Sequence, residues 1–87
     1  MSFNVLLTVD LNSVNTKQRQ RFYQEMEERK FLKISLTTTW KAQFNEDVSY
    51  ENAVLICKND LKNCARLANV VDYEFAMLIS KNKVITS

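Results

Sequence analysis

The chemistry open to this chain rests on a short set of side chains: carboxylates, Lys, Arg, Tyr, and the two cysteines Cys57 and Cys64. There is no His, no Gly and no Pro in its 87 residues. Without His there is no Ser-His-Asp or Cys-His nucleophile, no zincin and no zinc finger. Without Gly there is no phosphate-cradling Walker loop, dinucleotide-binding fingerprint, EF-hand loop or nucleophile elbow. Average usage would supply roughly ten Gly and Pro in a chain this long, so the absence is a real constraint.

Among the carboxylates, Asp10 stands out. It closes an alternating apolar segment, VLLTVDL, on the parity opposite the core. A carboxylate held at a strand end is a hard oxygen ligand for magnesium, which often uses only one or two carboxylates plus phosphate and water. A symmetry axis that brought a twin Asp10 close would strengthen such a site. Asp in that place also opens a strand-to-helix turn, where it bonds local amides. Asp10 is therefore both the candidate catalytic and the candidate metal-binding residue.

The bases are unevenly spread. Lys17 to Lys41 holds seven bases against three acids, within an overall +2 charge from 12 basic and 10 acidic residues. Arg19 and Arg21 suit phosphate, because the guanidinium fork matches its oxygens. Lys33 joins them as a candidate nucleic-acid contact. The same charges also serve as an ordinary solvated face. Thr37, Thr38 and Thr39 offer hydroxyls, yet β-propensity alone accounts for them. Trp40 could stack on a base, but its parity with Leu32, Ile34 and Leu36 places it in the core.

Cys57 and Cys64, seven residues apart on one helix, are separated by ~10.5 Å along its axis, beyond disulfide reach. Both read as small core residues of a reducing compartment. The N-terminal segment has no basic region ahead of its apolar run, unlike a signal peptide. No apolar run approaches a membrane span. A cytoplasmic protein with no membrane association is expected.

These residues need elements to position them. Phe3 to Leu11 alternates with period two, as a half-buried strand does. Asn15 and Gln18 make an approximate capping box for a helix over Lys17 to Lys30. Phe22, Met26 and Tyr23 form its narrow apolar stripe. Phe31 to Phe44 alternates again and is long enough for two strands, although no Gly, Asn or Pro marks the break. Ser49 caps a second helix whose Ala53, Cys57, Leu61, Cys64 and Ala68 recur at helical spacing. Asn69 ends it in the left-handed conformation that Gly would usually supply. Asp72 to Ser80 is a strand, Lys81-Asn82-Lys83 a turn, and Val84 to Thr86 has the composition of a short extra C-terminal strand.

The length allows one domain, residues 1–87. The order is β-α-β-β-α-β. Its compact solution is an α+β, ferredoxin-like βαββαβ sandwich, an antiparallel sheet with two helices on one face. The other face would carry Leu6, Thr8, Ala76 and Leu78. That semi-apolar surface calls for cover, and a symmetric homodimer supplies it most simply. An RNA-recognition module shares the element order, but it needs two Gly and open-face aromatics that are absent here.

Three segments together resemble the CRISPR-associated protein 2 superfamily with its VapD, GhoS and SinR-like relatives. They are the first strand ending in Asp (VLLTVDL), the basic helix RQRFYQEMEERK and the SLTTTWKAQF run. Thr38, Thr39 and Trp40 match a Ser/Thr-Thr-Trp element of SinR-like members. The resemblance covers roughly the first half of the chain. It implies a homodimer and, in some members, metal-dependent cleavage of RNA or DNA by the strand-end Asp, here Asp10. Other members are silent scaffolds.

Two functions follow as expectations. One is a homodimeric nucleic-acid-associated protein of a defence or toxin–antitoxin system, a magnesium-dependent endoribonuclease in its active form. The other is a non-enzymatic module of the same fold that binds a protein partner, as an antitoxin or adaptor does.

Overall fold

The computed structural model describes residues 2–34 and 38–82. It has the ferredoxin-like order: β1 (Asn4–Leu11), α1 (Thr16–Glu28), β2 (Leu32–Lys33), β3 (Thr39–Gln43), α2 (Tyr50–Leu67) and β4 (Tyr73–Ser80). The four strands form one sheet in the order β2-β3-β1-β4. Every neighbouring pair is antiparallel. Thus β1, the first of the described strands, lies between two strands that follow it by a helix or more. The expected extra strand at Val84 to Thr86 lies outside the described residues, as does Lys83 of the expected turn.

Alternation along β1 decides what it buries. Val5, Leu7 and Val9 are 4% exposed or less. Across the sheet they meet Ala42 and Trp40 of β3, and Ile79, Met77 and Phe75 of β4. The helices cover this face. Phe22 and Met26 of α1, with Ala53, Cys57, Leu61, Cys64 and Ala65 of α2, join Val5, Leu7, Trp40 and Ile79 in one apolar cluster.

Both helices start on the expected caps. The Asn15 side chain accepts from the Gln18 amide at 2.8 Å, and the Gln18 side chain accepts from the Asn15 amide at 3.0 Å. Ser49 accepts from the Asn52 amide at 3.2 Å. The helix ends are built alike. The Phe31 amide donates to the Met26 carbonyl and that of Lys30 to Glu27; the Val70 amide donates to Ala65 and that of Asn69 to Arg66. These are Schellman closures, whose left-handed position normally carries Gly. Here Lys30 (φ 70°) and Asn69 (φ 58°) occupy it. Asn tolerates that conformation through local hydrogen bonding, whereas Lys carries a cost of roughly 1–2 kcal/mol. Phe31, 2% exposed, and Val70, 5% exposed, anchor the two closures in the core.

One expectation is overturned. Leu32 does not share a face with Trp40. Lys33 pairs with Trp40 and Leu32 with Lys41. A turn between β2 and β3 folds the segment back, with the Ile34 amide donating to the Thr39 carbonyl at 3.0 Å. A hairpin of this register pairs even with odd numbers, so parity along the sequence does not carry across it. Leu32 is consequently 61% exposed. Thr38 lies in the turn and Thr39 opens β3. Leu36 and Thr37 lie outside the described residues.

Cys57 and Cys64 are unbonded and buried, as expected. Burial pushes both thiols up to about 11 from 9.0, with the nearby Asp60 charge adding to the shift. The thiolate is the reactive form. Native protein should therefore react with a thiol reagent far more slowly than urea-unfolded protein. Fast native labelling would overturn the placing of α2 in the core.

Candidate metal and nucleic-acid site

The open face of the sheet carries the parity that the helices do not cover. Leu6, Thr8 and Asp10 of β1 lie on it beside Leu78, Ala76 and Glu74 of β4. Across β3 it continues through Lys41 to Leu32. Its middle is a row of four cross-strand neighbours, Leu32, Lys41, Leu6 and Leu78, in which the outer two leucines are 61% and 64% exposed.

Asp10 stands at one end of this face, directly opposite Glu74. Both side chains are exposed. With Thr8, Phe75 and Ala76 they line a shallow hollow of about 160 Å³. Like charges directly opposed on a sheet repel, and a cation between them would remove that repulsion. The donor set, two carboxylates and the Thr8 hydroxyl, is all hard oxygen and fits magnesium by type. Among the described residues no group of three or more His, Cys, Asp or Glu converges. Further ligands would have to come from water, from substrate phosphate or from a second copy.

The three candidate bases do not join Asp10. Arg19 and Arg21 are on α1, on the covered side of the sheet. Arg19 is half-buried. Arg21 Nε donates to Glu25 Oε2 at 3.0 Å. Lys33 shares the face of Trp40, with its Nζ 5.0 Å from the centre of the Tyr23 ring. That ring meets Trp40 edge-on at 5.4 Å. Lys33 and Arg21 are exposed but engaged by Tyr23 and Glu25 on the helix side of the sheet, which separates them from Asp10.

Sequence reasoning missed a charged ladder on α1. Glu25 is buried and accepts from Arg29 Nη1 at 2.9 Å as well as from Arg21. Arg29 Nη1 also reaches the Glu25 carbonyl at 3.0 Å, and its Nε lies 3.9 Å from Asp60 on α2. The spacing Arg21-x3-Glu25-x3-Arg29, two successive i,i+4 pairs, was the available signal. The Arg29 hydrogen bond, against an opposing desolvation and aided by the Arg21 charge, holds the Glu25 carboxyl below its usual value. Burial pushes Asp60 up, partly offset by Arg29.

The Glu25 shift has a fixed sign in pH. A carboxyl with a depressed folded-state pKa stabilises the fold above its unfolded value, here 4.5, and that contribution disappears as pH falls through the lower folded value. Glu25→Gln should therefore flatten the loss of thermal stability below pH 4.5 and change stability most near neutrality. Parallel melting curves for both proteins from pH 7 to pH 3 would contradict this.

A second omission is on α2. Lys58, Lys62 and Arg66 are all exposed. Their four-residue spacing was visible, but they fall outside the Lys17 to Lys41 segment that drew attention by local charge. Among the described residues no helix is long and apolar enough to cross a membrane.

No protein-family model matches this chain, and no curated protein or solved structure does.

Proposed function

We propose that the chain is a homodimeric nucleic-acid-associated protein of the CRISPR-associated protein 2 type, acting in a defence or toxin–antitoxin system and cutting RNA with magnesium at Asp10. The observation that carries this reading is the pairing of Asp10 with Glu74 at the exposed end of a ferredoxin-like sheet. Two carboxylates there would hold one divalent cation while leaving its outer positions open to a phosphodiester. Magnesium, when bound, stabilises charge on the attacking or leaving oxygen. Asp10 and Glu74 orient that charge from a strand pair, which is stiffer than a loop. Thr8, next on the same face, offers a hydroxyl to a phosphate oxygen.

The homodimer is supported by the leucine row. Leu32 and Leu78 lie at opposite ends of one row, at the same level of the sheet. A two-fold axis running along the strands would set each against the other's copy, the self-complementarity an isologous contact needs. The same row supports the second reading, a non-enzymatic module that binds a protein partner through this face.

End-labelled single-stranded RNA incubated with protein separates the two. Cleavage with magnesium that stops in EDTA is expected. No cleavage in either condition would leave the protein-interaction module. Light scattering tests the dimer. Twice the 10.2 kDa chain mass is expected, with Leu78→Glu giving the monomer. A wild-type monomer at tens of micromolar would remove the dimer.

A further inference from the structure

The outer face of α2 carries a run of positive charge that the fold itself does not use. Lys58, Lys62 and Arg66 are spaced by four residues, so they stack along one side of the helix at ~6 Å intervals. All three are exposed. Among the described residues none of them has an ion-pair partner. The helix's nearest acid in sequence, Asp60, is on the side turned to α1, 3.9 Å from Arg29. Two like-charge i,i+4 contacts in succession work against the helix. The helix dipole offsets this for Arg66 in the last turn, but not for Lys58, in the middle of the helix.

We propose that Lys58, Lys62 and Arg66 form the track that holds the phosphodiester backbone of a nucleic-acid strand. This rests on the nucleic-acid reading above and moves its binding surface from Arg19, Arg21 and Lys33 to α2. That helix also lies across the sheet from Asp10, so the track anchors a strand rather than presenting the cut bond to that carboxylate. Lys58 to Arg66 spans ~12 Å of helix, long enough to set the three cations along consecutive phosphates of one strand. Asn59, exposed beside Lys58 and Lys62, adds a neutral amide donor of the kind that bonds phosphate oxygens. The contact so argued is one of charge and spacing along the backbone. Two of the three earlier candidates are engaged elsewhere: Arg21 by Glu25 and Lys33 by the Tyr23 ring.

The test is binding of the full chain to a fluorescent single-stranded RNA, followed by anisotropy between 50 and 200 mM salt. Each phosphate neutralised on a single strand contributes roughly 0.7 to the slope of log affinity against log salt. The variant Lys58→Gln/Lys62→Gln/Arg66→Gln should lose about 2 from that slope, and Lys62→Gln alone about 0.7. Arg21→Gln/Lys33→Gln should leave it within half of one such step. The triple variant removes only exposed charge, so its melting temperature should not fall; the single variant serves should it do so. Wild-type binding with an unchanged slope in the triple variant would overturn the track and leave the nucleic-acid reading standing. No wild-type binding at 50 mM salt would overturn both. Stripe-dependent binding of polyglutamate without binding of RNA would assign the face to an acidic protein instead.

Discussion

Asp10→Asn is expected to lower magnesium-dependent RNA cleavage by about 100-fold or more, since even residues one shell out from a metal commonly cost 10–100-fold when changed. The substitution keeps the shape and one oxygen but removes the charge that, on the proposed function, would attract the cation. It should not harm the fold. Asp10 is exposed and faces Glu74, so removing one carboxylate relieves a repulsion. The melting temperature should stay level or rise while activity falls, a combination a merely structural role would not give. Glu74→Gln should raise the magnesium concentration needed for half-maximal rate. Cleavage by Asp10→Asn at the wild-type rate would exclude Asp10 from the chemistry.

Trp40→Ala should give the largest loss of stability. The only Trp of the chain, the second residue of β3, is 1% exposed. It lies across from Leu7 and against the edge of the Tyr23 ring. Truncating a buried Trp costs about 3–5 kcal/mol. A chain of this length has about 4–13 kcal/mol in total. The variant should therefore be partly unfolded at 37 °C, or have a urea midpoint lower by about 2 M. Trp40→Phe, which keeps a ring against Leu7 and Tyr23, should recover much of the loss. A change below about 1 kcal/mol in Trp40→Ala would return Trp40 to the surface as a stacking residue.

Trp40 also shows how a correct placement can rest on a wrong reason. Its burial was legible, but through a parity shared with Leu32 that the hairpin breaks. Strand periodicity is a local signal, and a turn resets it. Without Gly, Asn or Pro to announce that turn, nothing local marked the reset. The caps were legible because Asn15, Gln18 and Ser49 act within four residues of themselves. The left-handed Lys30 was not, because Lys has no chemical reason to be there; the closure is driven by Phe31 entering the core. The open-face position of Asp10 followed from parity within one strand. Its partner Glu74 did not, because their pairing is set 64 residues away by the register of β4. Lys33 was visible as a charge, but its partner Tyr23 appears only once α1 is laid over β2 and β3, whereas the Arg21–Glu25 pair lay within reach of helical spacing.

The central place of β1 bears on synthesis. When the ribosome has released the chain through α2, β1 has β3 on one side and a bare edge on the other. Alternate residues of β1, Leu6, Thr8 and Asp10, then present unpaired amides and carbonyls, the odd-numbered ones such as Val9 being bonded toward β3. Such an edge is how strands from separate chains join. The missing neighbour, β4, is the last of the described strands to emerge. Folding must therefore wait for it, and a nascent chain stalled near residue 70 is a candidate for aggregation or for chaperone capture.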